Sequence, residues 1–150
     1  LSMSNYAIAH IVHLFCAVIF VGGVLFEALV LSVLHTKAVS REARQEVERA
    51  ISRRATRVMP VVVGLLFVSG LVMLHRHADA LLHPFAHAFN TQLALKILLA
   101  LSVLGHFVIA VYKMKRGTLT KAWSRYIHLA VAVQMIAIVL LAKTMFYIAW

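Results

Sequence analysis

Thr91–Lys115, TQLALKILLALSVLGHFVIAVYKMK, is the stretch from which the rest of the chain can be read. From Thr91 to Tyr112 it is apolar enough and long enough to cross a bilayer, which takes about 20 residues. It nevertheless carries Lys96 in its first half and His106 in its second. A charged or titratable side chain inside hydrocarbon costs roughly 2.5 kcal/mol or more, so it turns toward a bundle interior and takes a partner there. Much of the remaining sequence can be searched for those partners.

Composition excludes a soluble globule. Hydrophobic residues make up 63% of the 150, charged residues only 13%, and the mean hydropathy is +0.91, whereas soluble domains are about one quarter charged. The net charge of +10 is not a nucleic-acid signature, because of where it lies. Seven of the fifteen Lys and Arg residues fall between Lys37 and Arg57, and five more between Lys113 and Arg125. Basic clusters between apolar spans orient a membrane protein with those loops in the cytoplasm. The single Cys16 allows no internal disulfide framework. The first apolar run is too long for a cleavable signal peptide, and His10 interrupts its start.

In chain order, spans are expected at about 6–34, 58–75, 91–112 and 122–146, forming one transmembrane domain over 1–150. The first holds His10, His13, Cys16, the Gly22-Gly23 pair and Glu27. His13, Phe20 and Glu27 recur every seven residues and line one stripe, with Gly23 beside it admitting a neighbouring helix. Ser40, followed by charged helix formers, reads as the capped start of a solvated helical connection that runs into the second span. A nucleic-acid arm or a lipid-binding switch is the alternative for that segment. Pro60 is expected in the first turn of the second span. After His75 and His77 come His83, Pro84 and His87, where apolar residues suggest a short helix in the outer interface. Gly117 stops the third span. Trp123 and Tyr126, with Phe146, Tyr147 and Trp150 at the other end, read as interfacial anchors. The expected architecture is all-α: an integral membrane four-helix bundle with a short outer interfacial helix, in a bacterial inner membrane, both termini periplasmic.

Rise per residue sorts the polar side chains into two layers. His13, Lys96 and Lys143 fall in the outer third, with His10 and His75 closer to the surface. His106 and His128 fall in the inner third, on spans joined by a short loop and therefore antiparallel neighbours. Two imidazoles at one depth suit a bis-His b-type haem; the alternative for each histidine is a hydrogen bond to a backbone carbonyl or hydroxyl. The outer candidate site is His13 with His75 or Lys96. Lys96 either snorkels, pairs with a carboxylate, or ligates iron. His10 and His13, three residues apart, could hold copper, and His83 with His87 a surface metal. Glu27 reads as the partner of Arg54 or Arg57, or as a proton relay.

The arrangement resembles the superfamily of HemJ-type protoporphyrinogen oxidases and CopD-type copper resistance proteins. AHIVHLFCAVIFVGG (residues 9–23) is similar to that family's opening His with aromatic and Gly residues, His13 matching the family His. ISRRATRVMPVVVGLLFVSG (51–70) resembles its basic run, Pro and later Gly. Lys96 with His106, and Arg125 with Lys143, fall where the HemJ-type pattern has Lys, His, Arg and Lys. The sequence departs from it at Phe20, where the family has Trp, at Ala28-Leu29-Val30, where it has a Pro-Arg pair, and around His128, where it has Asn-Glu-Val-Pro. The resemblance implies either porphyrinogen oxidation or copper handling. The residues themselves point first to a b-type haem protein passing electrons to a redox partner or quinone in the lipid bilayer, alone, as a homo-oligomer or as a subunit of a larger complex, with no nucleic-acid partner. His13, His75, Lys96, His106 and His128 are the haem-site candidates, and His10, His13, His106 and His128 the metal candidates.

Overall fold

The computed structural model of the chain describes residues 3–144 and 147. The described residues are all-α, with no strand. Five helices follow one another: α1 (Met3–Leu29), α2 (Arg41–His75), α3 (Ala78–Leu82), α4 (Ala88–Arg116) and α5 (Lys121–Thr144), with a 3-10 turn at Leu31–His35 after α1. Four of them are long and apolar enough to cross a membrane: α1 with its 3-10 extension, α2, α4 and α5. Outward positions such as Phe15, Leu71, Leu98 and Leu129 are exposed apolar side chains, as lipid-facing residues are. The chain is that of a multi-pass membrane protein.

The helices form two compact units, residues 1–76 and 77–150, each an antiparallel hairpin. In the first, His13 lies against Ser69, and ten residues further along α1 Gly23 lies against Met59, ten residues back along α2. Seven residues before His13, the Tyr6 ring takes the guanidinium of Arg76, seven residues past Ser69, at 4.3 Å. The register is thus constant along the pair. Beyond the end of α1 it continues to the ion pair of His35 with Glu48 at 3.3 Å. Cys16 and Phe20 of α1 and Val62, Val63 and Ser69 of α2 are buried.

The second hairpin repeats the principle. Gln92 meets Thr144, Ser102 meets Gln134 ten residues later, and Lys113 sits 4.6 Å over the ring of Trp123 eleven residues beyond that. Val103 of α4 and Ile127, Val131 and Met135 of α5 are buried.

Local chemistry sets the ends. Ser40, in extended backbone, accepts a hydrogen bond from the Ala43 N–H and caps α2, and the Arg, Glu, Gln and Ala residues that follow are strong helix formers. The helix therefore begins at Arg41 and carries straight into the span. Pro60, expected in a first turn, lies instead well inside α2, where it deprives the Thr56 carbonyl of its helical N–H. The first span likewise ends its α-helix at Leu29 and reaches His35 only as a 3-10 turn. Near the other end of the chain, the expected last-span end at Phe146 and the anchor Trp150 lie outside the described residues.

Gly117 ends α4 at φ 68°, its N–H bonded to the Met114 carbonyl and the Thr118 N–H to that of Lys113. A Cβ is costly in this left-handed conformation, by roughly 1–2 kcal/mol. Gly117→Ala should therefore lower stability by about 1 kcal/mol, whereas Gly105→Ala, with open space around its Cα, should not. Thermal unfolding of the two variants in detergent is the check.

Candidate functional site

Each hairpin holds one half-buried histidine in a defined hydrogen-bonding frame. On α1, His13 Nδ1 lies 2.9 Å from the Leu66 carbonyl oxygen and 3.2 Å from Ser69 Oγ. A carbonyl can only accept, so Nδ1 carries the proton and Nε2 is the lone-pair nitrogen. Ser69 is buried and donates its own hydroxyl hydrogen to the carbonyls of its preceding turn, 2.7 Å from Leu65 and 3.0 Å from Leu66, which turns its oxygen lone pairs toward His13. Gly70 lets the imidazole approach: a Cβ there would stand 3.3 Å from Cε1 and 3.5 Å from Nδ1.

On α4, His106 Nδ1 donates to the Ser102 carbonyl of its own helix at 2.7 Å. Nε2 therefore accepts, and the Tyr126 hydroxyl of α5 donates to it at 3.2 Å. Tyr126 also meets Trp123 edge-on, with ring centroids 5.9 Å apart. The same tautomer thus stands in both hairpins, fixed each time by a backbone carbonyl. One turn from His106, Gln134 donates to Ser102 Oγ at 2.8 Å. Its Oε1 is buried and accepts no bond among the described residues.

The other sequence candidates fall as follows. His128 is exposed on α5. The register puts it about half a turn from the level of His106, but some 200° around the helix from Tyr126, on the opposite flank of α5. The phenol, not the second imidazole, is what α5 offers to His106. His75 is exposed in the last turn of α2, about 9 Å along the helix from Ser69, and so not at the level of His13. His10 is exposed, its ring 6.3 Å from that of Tyr6. Lys96 is half-buried on α4, one turn after the Gln92–Thr144 contact. Glu27 is exposed, level with Ala55 between Arg54 and Arg57. His83 and His87 are exposed beside Pro84, in a loop held to α4 by Asn90, which donates to the His83 carbonyl at 3.0 Å, and by Thr91, which donates to that of Pro84. Within either hairpin, no three His, Cys, Asp or Glu side chains among the described residues come together as a metal cage.

No family model, curated protein or solved structure matches the chain. Its chemistry has to be read from the two imidazoles themselves.

Sequence reasoning does not single out Ser69, and it reads Tyr126 only as an interfacial anchor. Tyr126 was within reach of it: a phenol one turn from the level of an intramembrane His on the neighbouring helix is a ready donor. The ring tautomers can be checked directly. The ¹⁵N shifts of labelled His13 and His106 should report a protonated Nδ1 in both. Tyr126→Phe should move the Nε2 resonance of His106 alone and cost about 0.6 kcal/mol, the mean for a hydrogen bond between membrane helices.

Proposed function

We propose that this chain is a b-type haem-binding membrane protein that carries electrons, with His13 as an axial ligand. The observation that supports this is the His13 Nδ1–H held by the Leu66 carbonyl and Ser69. A metal-binding histidine usually donates its other ring N–H to a carbonyl or carboxylate in this way, which fixes ring orientation and raises the basicity of the ligating nitrogen. A haem iron asks for only one or two protein donors, so single, pre-oriented imidazoles are sufficient.

When bound, haem supplies a one-electron ferric/ferrous couple. The protein's part is to hold the His13 ring rigidly against Gly70 and to surround the site with the apolar side chains of α1 and α2. His106 shares the tautomer, but its Nε2 accepts the Tyr126 hydroxyl, so ligation there requires that bond to give way. His13 is the first ligand candidate because its Nδ1–H is held across the hairpin by a carbonyl and a buried hydroxyl of α2, with His106 the second to be tested. The two basic segments support a topology with both termini on the periplasmic side of a bacterial inner membrane, and an electron carrier there exchanges with a quinone or a redox protein.

The test is the visible spectrum and haem content of the detergent-purified full chain. The expected result is a Soret band with sharp reduced α and β bands that His13→Ala abolishes and His10→Ala retains. Ser69→Ala, removing a hydroxyl that shares the Nδ1 proton, should weaken haem affinity roughly 10-fold. A colourless protein carrying stoichiometric copper would overturn the haem reading in favour of CopD-like copper handling. A colourless protein that oxidises protoporphyrinogen would overturn it in favour of the HemJ-like activity.

A further inference from the structure

Three arginines follow one another at four-residue steps up α2: Arg49, Arg53 and Arg57. With Ser52 and Thr56 they line a shallow groove. We propose that this groove binds the phosphate of an anionic phospholipid headgroup.

Its position comes from the helix itself. The face of α2 turned to α1 is marked by Glu48 on His35, Met59 on Gly23 and buried Val62. Arg53 precedes Val62 by nine residues, which places it about 180° around the axis, directed away from the hairpin. All three arginines are exposed. The one ion pair among the described residues of this helix joins Glu48 to His35 and takes none of them. Arg49 spends its Nε on the Gln45 carbonyl at 3.3 Å, leaving its terminal nitrogens to a ligand.

Charge is also graded along this face. Glu42 and Glu46 share the azimuth but stand at its far end, while the arginines occupy the turns next to the span that opens at Val58. A positive cluster abutting a membrane span meets lipid phosphates before it meets any soluble anion. The residue type fits as well, since a guanidinium forks onto two phosphate oxygens where an ammonium offers a point charge. Arg49 to Arg57 covers about 12 Å of helix, so side chains on either side of Arg53 converge on one headgroup. The proposal is independent of haem: it concerns exposed residues remote from His13, and its readout is lipid rather than colour.

The test titrates the detergent-purified full chain with phosphatidylglycerol or phosphatidylcholine and counts retained lipid by native mass spectrometry. A basic residue near an anionic surface contributes on the order of fivefold in binding. The wild-type chain should prefer phosphatidylglycerol, and the combined variant Arg49→Gln/Arg53→Gln/Arg57→Gln should lose that preference by about 100-fold at low salt. The variant Lys37→Gln/Arg41→Gln/Arg54→Gln, equal in charge but off the groove, should keep it. Replacing the three groove arginines by Lys should give an intermediate value. Equal loss in the two Gln variants would overturn the proposal, because only net charge would then be acting. So would displacement of the lipid by millimolar inorganic phosphate or by an RNA oligonucleotide, which would assign the groove to a soluble anion.

Discussion

A neutral imidazole brings one N–H and one lone pair into the membrane, and hydrocarbon satisfies neither. Leaving a buried donor unpaired costs about 1–3 kcal/mol, comparable to what a membrane helix gains from several close contacts. The hydrogen bond from His13 Nδ1 to the Leu66 carbonyl is therefore a constraint on the whole first hairpin. It requires α2 to run antiparallel at one register, requires Gly70 to leave room for the ring, and requires Ser69 to turn its oxygen inward. The contacts at both ends, Tyr6 with Arg76 and Gly23 with Met59, fall on that same register. In the second hairpin the equivalent demand is met within α4 itself, by the Ser102 carbonyl, and the partner helix supplies only the donor to Nε2. One side-chain type has been accommodated by two different routes.

Much of the architecture was legible because hydrophobic length is a strong signal. The spans, the Ser40 start and the Gly117 stop all follow from residues whose physics is local. Pro60 differs from its expected first-turn place because the Ser40 cap and the helix formers after it start the helix at Arg41, and the chain carries that helix unbroken through the proline. The site was legible at the level of depth and not of direction. His106 and His128 do lie near one level, but side chains only two residues apart point to nearly opposite flanks, so the partner on α5 is Tyr126. Azimuth around a helix depends on which face a neighbour covers, and a single sequence gives that poorly when every face is apolar.

The polar contacts of the second hairpin are spaced like rungs: Gln92 with Thr144, Ser102 with Gln134, His106 with Tyr126. Between them the contact is made by Val103, Ile127, Val131 and Met135. Lipid tails compete evenly for such aliphatic surface, so apolar packing alone fixes neither register nor rotation. Slipping one helix by a residue would break several of these hydrogen bonds at once. The rungs thus contribute specificity of alignment beyond their modest individual strengths.

The separation of partners along the chain also has a temporal side. At roughly 5–20 residues per second of synthesis, Tyr126 emerges about 1–4 s after His106, and the Ser102 carbonyl is already present. His13 waits for Ser69, 56 residues later, or about 3–11 s. During that interval the His13 N–H lacks the acceptors that α2 will supply. Docking of α1 in its final register is thereby coupled to the arrival of the distal half of α2, and a ribosome stalled within the arginine-rich segment would leave the first helix without that polar contact.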